Sequence, residues 1–177
     1  AFTYTDASNI GNALTSVVYN AASGSGGTGM TSAFNSYNAE NGVAIFYALN
    51  PAASADTSNN YISATLNSIS GNAVSEVNAT SYQIKGANTG AISVATGISV
   101  DTSSSGTGIS TAVTTAVGDI VIDALAGNQN NAVASSGTNQ VSGLAVTGAS
   151  IAHSHKSSYI NATTTTTTMT HTLASSI

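Results

Sequence analysis

The stretch Asn41–Pro51, NGVAIFYALNP, decides the fold. Side chains alternate along a strand, so Val43, Ile45, Tyr47 and Leu49 fall on one face and Ala44, Phe46 and Ala48 on the other. Both faces are apolar. A strand of that kind is central and covered on two sides, or it turns its outer face to another subunit. Asn41-Gly42 ahead of it is a hairpin-turn signal, since both residues tolerate positive φ. Pro51, the only proline, ends the strand because it has no N–H for a ladder.

The same rhythm extends outward in both directions. AFTYTD (1–6) alternates, with Phe2 and Tyr4 on one face. ALTSVVYN (13–20) follows the turn-like SNIGN, and MTSAFNSYN (30–38) follows a glycine-rich loop at 24–29. NNYISATLNS (59–68) sets Tyr61, Ser63 and Thr65 against Ile62, Ala64 and Leu66, and AVSEVNATSYQIKG (73–86) reads as a long strand. ISTAVTTAVGDIVIDALAG (109–127) reads as two strands around Val117-Gly118-Asp119. QVSGLAVTGASIAH, KSSYINA and the final threonine run complete the series. Helix formers such as Glu, Lys and Gln are scarce, and Gly, Ser, Thr and Asn interrupt every window. Turn signals recur about every 8–12 residues, the spacing of a sandwich or jelly roll. The expectation is an all-β, single-domain, two-sheet sandwich of jelly-roll type over residues 1–177, with no linker that would divide it.

Composition narrows the function. Only 5% of residues are charged, against roughly 25% in an average domain, so Ser, Thr, Asn and Gly must make the surface. Such a surface repels its neighbours weakly, which favours association. Two lysines, no arginine and a net charge of −5 argue against nucleic-acid binding and leave no polybasic handle for membranes. No stretch is long and apolar enough to span a bilayer as a helix. Cysteine is absent, so no disulfide staples the chain. The opening Ala1 fits a mature product of signal-peptide removal, and equally an incomplete sequence. The hydroxyl-rich, charge-poor composition points to an extracellular chain.

The close of the chain, NATTTTTTMTHTLASSI (161–177), carries six consecutive threonines. Threonine is β-branched and suits a half-wet pleated surface. As a strand, the run sends Met169, His171 and Leu173 to one face and the even-numbered threonines to the other. It is also an O-glycan candidate at Thr163, Thr164 and Thr165. Asn78-Ala79-Thr80 and Asn161-Ala162-Thr163 fit the N-glycosylation triplet.

The succession of Val17–Asn20, Phe46–Pro51, Thr114–Asp123 and Met169–Ser175 resembles a family of small secreted or phage-associated β-sandwich domains. Members carry a VTYNG-type strand, a strand ending in L-N-P, a T-x-x-G-D-x-V-V-D hairpin and a late M-x-W-T-L-S-S strand. The resemblance implies a jelly-roll-like sandwich with a structural or adhesive role and no catalytic residues. Relatives begin and end with long apolar strands, whereas this chain begins with AFTYTD and stops at Ile177. A sandwich short of an edge strand exposes unpaired backbone groups over an apolar groove. A terminal strand of an identical copy can fill it, and head-to-tail repetition then builds a filament. Residues 1–8 are the expected donor, through Phe2 and Tyr4; the terminal strand, through Met169 and Leu173, is the other candidate.

The function read from the sequence is therefore a structural subunit of a self-assembling extracellular helical filament. Its partners are other copies of itself, it needs no cofactor, and it is not an enzyme. The alternative is a phage or virion adhesion module that binds surface glycans, with Tyr47, Tyr61, Tyr82 and Tyr159 as the aromatic candidates. His153 and His155 share a strand face that His171 could join around a metal, and Asp101, Asp119 and Asp123 are the candidate calcium ligands. Neither set has the spacing of a dense metal loop, and solvent-facing residues are the simpler reading. Nucleophile signatures are missing, and serine is so abundant that proximity to a histidine carries no information. Lys85 and Lys156, the only lysines, raise an isopeptide cross-link to an Asn beside an acid; the simpler reading is two solvated side chains.

Overall fold

The computed structural model describes residues 1–5, 13–20, 28–37, 41–49, 61–67, 74, 76–86, 108–127, 133–135, 137–147 and 154–173. Their regular structure is entirely β, in thirteen strands. These are β1 (Phe2–Thr5), β2 (Leu14–Asn20), β3 (Thr28–Gly29), β4 (Thr31–Tyr37), β5 (Asn41–Tyr47), β6 (Tyr61–Leu66) and β7 (Glu76–Ala79). They continue as β8 (Gly108–Thr114), β9 (Ile120–Gly127), β10 (Val133–Ser135), β11 (Val141–Thr147), β12 (Ser154–Asn161) and β13 (Thr166–Leu173). All recorded pairings are antiparallel. The all-β, sandwich-type architecture expected from the sequence is the one adopted. Its hydrogen bonds fall into four short ladders: β4-β5-β1-β7, β3-β2-β6, β11-β12-β9 and β10-β13-β8.

The strand that decides the fold is central. β5 lies between β4 and β1, and both its faces are covered. On one face Phe2, Tyr4 and Ala44 meet Ala13, Leu14 and Val17, with Met30, Phe46, Ala64, Leu66 and Val74 packed around them. On the other face, Val43 and Ile45 are half-buried and β9 packs across β5 and β1. β12, the middle strand of its ladder, is also covered twice, since Ser154–Ser158 are all buried in succession. One side of β12 meets the β1–β7 edge, through Tyr82 on Ser157. The other side meets Gln140 and, across Asp123, His171 of β13. In β13 the expected alternation holds: Thr167, Met169 and His171 are buried, and Thr166, Thr168 and Thr172 are exposed.

Three local expectations are corrected. Asn41-Gly42 is not the hairpin turn; both residues are buried inside β5, and Gly42 pairs with Tyr4. A Cβ at Gly42 would run into the Tyr4 ring, so glycine is there to seat an aromatic rather than to bend the chain. Val117-Gly118-Asp119 does make a turn, with Gly118 at φ 95° and Asp119 N–H on the Ala116 carbonyl at 3.1 Å. The flanking strands do not pair as a hairpin, however. β8 pairs with β13 and β9 with β12, so the turn is a corner between two ladders. Among the described residues of 73–86, where a long strand is expected, only Glu76–Ala79 is strand.

Candidate functional site

β1 occupies a slot. Phe2, Thr3, Tyr4 and Thr5 pair with Ala44, Val43, Gly42 and Asn41 on one side. On the other they pair with Ala79, Asn78, Val77 and Glu76. Two more bonds prolong the β7 side: Ala1 nitrogen to the Thr80 carbonyl at 2.8 Å, and Thr80 N–H to the Ala1 carbonyl at 2.9 Å. Alternation drives Phe2 and Tyr4 into the apolar core, where Tyr4 is fully buried. Phe2 meets Phe46 edge to face, with centroids 6.3 Å apart. Burial pushes the Tyr4 phenol above its ordinary pKa, against a hydrogen bond from the Leu14 backbone that favours the charged form. Burial also lowers the Ala1 ammonium from 8.0 to about 6. Lifting β1 out would expose two aromatic side chains and leave β5 and β7 each with an unpaired edge.

The second candidate is a polar seam around β12. Tyr82 donates to Ser157 Oγ at 2.9 Å, and Ser157 donates to Thr80 Oγ1 at 2.8 Å. His155 Nε2 lies 3.8 Å from Glu76 Oε1 on that same face. Across the strand, Ser158 Oγ donates to Asp123 Oδ1 at 2.5 Å, and Asp123 Oδ2 lies 2.6 Å from His171 Nε2. Gln140 Nε2 donates to Ser158 Oγ at 2.7 Å, while Gln140 Oε1 accepts from the Thr170 N–H at 2.9 Å. Lys156 Nζ donates to Ser142 Oγ at 2.8 Å. Burial lowers the Lys156 pKa, and the Asp123 charge partly restores it. Ser, Asp and His therefore meet, but with the carboxylate in the middle. The hydroxyl does not reach the imidazole, so this is not the Ser–His–Asp relay of acyl-transfer enzymes. No spacing in the sequence marked these residues as a group, because its members come from five separated segments.

The other residues singled out by sequence are dispersed. Met169 is buried under β13, which is itself central between β10 and β8; Leu173 pairs with Val133. Asn78 is half-buried in β7, and its Nδ2 is buried in the folded chain. Asn161, Thr163, Thr164 and Thr165 are exposed at the far corner. That corner is tied to the β8–β9 turn by Gly118 N–H on the Ala162 carbonyl (2.8 Å), Ala162 N–H on the Asp119 carbonyl (2.7 Å) and Thr115 N–H on the Thr165 carbonyl (3.0 Å).

Among the described residues the metal candidates do not assemble. Asp101 and His153 lie outside the described residues. Asp119 serves its turn, accepting from the Ala116 N–H at 2.7 Å. His155 faces β7, whereas His171 and Asp123 lie on the opposite side of the β12 ladder. Among the described residues no three metal-ligating side chains converge. Lys85 is exposed, and Lys156 is buried rather than solvated. Of the four tyrosines, Tyr82 and Tyr159 come together, edge to face with centroids 5.6 Å apart, while Tyr47 and Tyr61 stand in other ladders. Among the described residues no helix is long and apolar enough to cross a membrane. No family model matches this chain, and no characterised protein or solved structure matches it either.

Proposed function

We propose that the chain is a structural subunit of an extracellular, self-assembling helical filament, polymerised by exchange of β1 between copies. The supporting observation is the slot. β1 is short, is hydrogen-bonded along both edges and supplies two of the large side chains of the apolar core. In the single chain it fills its own slot. The same contacts are available to β1 of another copy, so exchange leaves the contact energy nearly unchanged. Concentration and the geometry of the connecting residues 6–12 then decide between closure and chain growth. Head-to-tail exchange does not close and gives a fibre. The low charge of the surface favours the packing of copies.

The test is removal of residues 1–6 followed by electron microscopy. The truncated chain is expected to stay monomeric, and addition of an AFTYTD peptide to occupy the slot without growing fibres. Fibres formed by the truncated chain would end the proposal. A second reading, a phage or virion adhesion module for surface glycans, is favoured by the paired Tyr82 and Tyr159 rings, since aromatic faces stack on sugars. Retention on a glycan array that is lost in Tyr159→Ala would select it.

A further inference from the structure

The Ser158 hydroxyl stands between a carboxylate and a carboxamide. It is fully buried, donates to Asp123 Oδ1 at 2.5 Å and accepts from Gln140 Nε2 at 2.7 Å. The orientation of the carboxamide is fixed independently. Thr170 N–H needs an acceptor and takes Gln140 Oε1 at 2.9 Å, which leaves the amino end facing Ser158. Asp123 is held in turn by His171, 2.6 Å from its second oxygen. The four parts of an acyl transfer are therefore together: a hydroxyl, a base on its proton, an N–H donor on the acyl oxygen and a nitrogen leaving group beside the hydroxyl.

We propose that Ser158 and Gln140 join in an intramolecular ester cross-link with release of ammonia. Gln140 turns its carboxamide face toward Oγ, pivoting on the oxygen held by Thr170. Ser158 Oγ bonds to the Gln140 carbonyl carbon Cδ, and its proton passes to Asp123. Negative charge gathers on Oε1 against the Thr170 N–H. The tetrahedral carbon then expels Nε2, which collects the proton from Asp123 and leaves as ammonia. One C–O bond forms and one C–N bond breaks, with no oxidant and no added reactant. Holding the groups in contact replaces the encounter that makes such a reaction negligible between free side chains. Burial of Ser158 keeps water from reversing it. The link would tie the residue that leads into β11 to the centre of β12, in a chain with no cysteine to do so. It does not depend on the filament reading.

The test is the intact mass of the full, folded chain after denaturation. The expected mass is one ammonia below that of the sequence. Fragmentation should place the loss in a peptide that joins Gln140 to Ser158, and alkaline hydroxylamine should open it. Ser158→Ala and Gln140→Leu should each keep their full sequence mass. Full sequence mass in the wild-type chain after prolonged incubation overturns the proposal. So does an ammonia loss mapped to a cyclised Asn41-Gly42, or to a hydroxylamine-resistant bond at Lys156.

Discussion

On the core face of β1, the buried side chains are Phe2, Tyr4, Ala13, Leu14, Val17 and Ala44, an apolar cluster. Around β12, Ser154, His155, Lys156, Ser157 and Ser158 are buried just as deeply, and they are held by hydroxyls, a carboxylate and a carboxamide. Across the described residues the buried set divides evenly, nine apolar and nine polar, so neither kind of interior is a minor feature. The two kinds do different things. Apolar burial is non-directional and accepts any segment of suitable shape. A buried hydrogen-bond network accepts one register and penalises every other, because each orphaned group bears its own desolvation. An exchangeable strand therefore belongs in the apolar half, and a permanent frame in the polar half.

That contrast can be broken from either side. The largest effect is expected from Tyr4→Ala, which empties the position over Gly42 and should destabilise the chain by about 3–5 kcal/mol. Urea unfolding would measure it, and a loss below about 1 kcal/mol would mean that β1 is not anchored by its aromatic residues. Asp123→Ala attacks the other half. It strips Ser158 and His171 of their shared acceptor and should remove about 2–4 kcal/mol. Asp123→Leu, which also discards the charge, should restore none of it, because the buried Ser158 hydroxyl keeps only the Gln140 amide as a partner and has no acceptor for its proton, and the imidazole loses its carboxylate.

The smallest effect is expected from pH. In a preparation whose first residue is Ala1, burial holds that ammonium at about 6 against 8.0 when unfolded. The unfolded chain then binds more protons between those values, so stability rises with pH across that window and levels off above it. Two units at about 1.4 kcal/mol each make the change about 2–3 kcal/mol. Acetylation of Ala1 should abolish the slope, and a slope that survives acetylation would assign it elsewhere.

The apolar half was largely legible in the sequence. Two-sided apolar alternation and the Phe2/Tyr4 pair are period-two signals, and the structure realises the first over 43–47, with Leu49 exposed beyond the strand, and the second in full. The threonine strand was legible for the same reason. Turns were less so. Asn41-Gly42 has ideal hairpin chemistry, yet a ring from a strand far away in sequence claims the glycine. Thr114–Asp123 reads as a hairpin because a local signal cannot say which ladder each strand will join. The polar half was hidden. Ser and Thr are everywhere in this chain, so no spacing distinguishes Ser158 from its neighbours. Its meeting with Asp123, Gln140 and His171 is decided by the register of β9, β12 and β13, which composition does not encode.

Gly42 gives the slot a notch. Its missing side chain leaves room for one flat ring at one depth, so an entering segment is read for an aromatic residue at a single position, much as a lock reads the height of one pin. Under the exchange proposed above, related subunits secreted side by side would keep their polymers separate simply by moving that notch two residues along the strand.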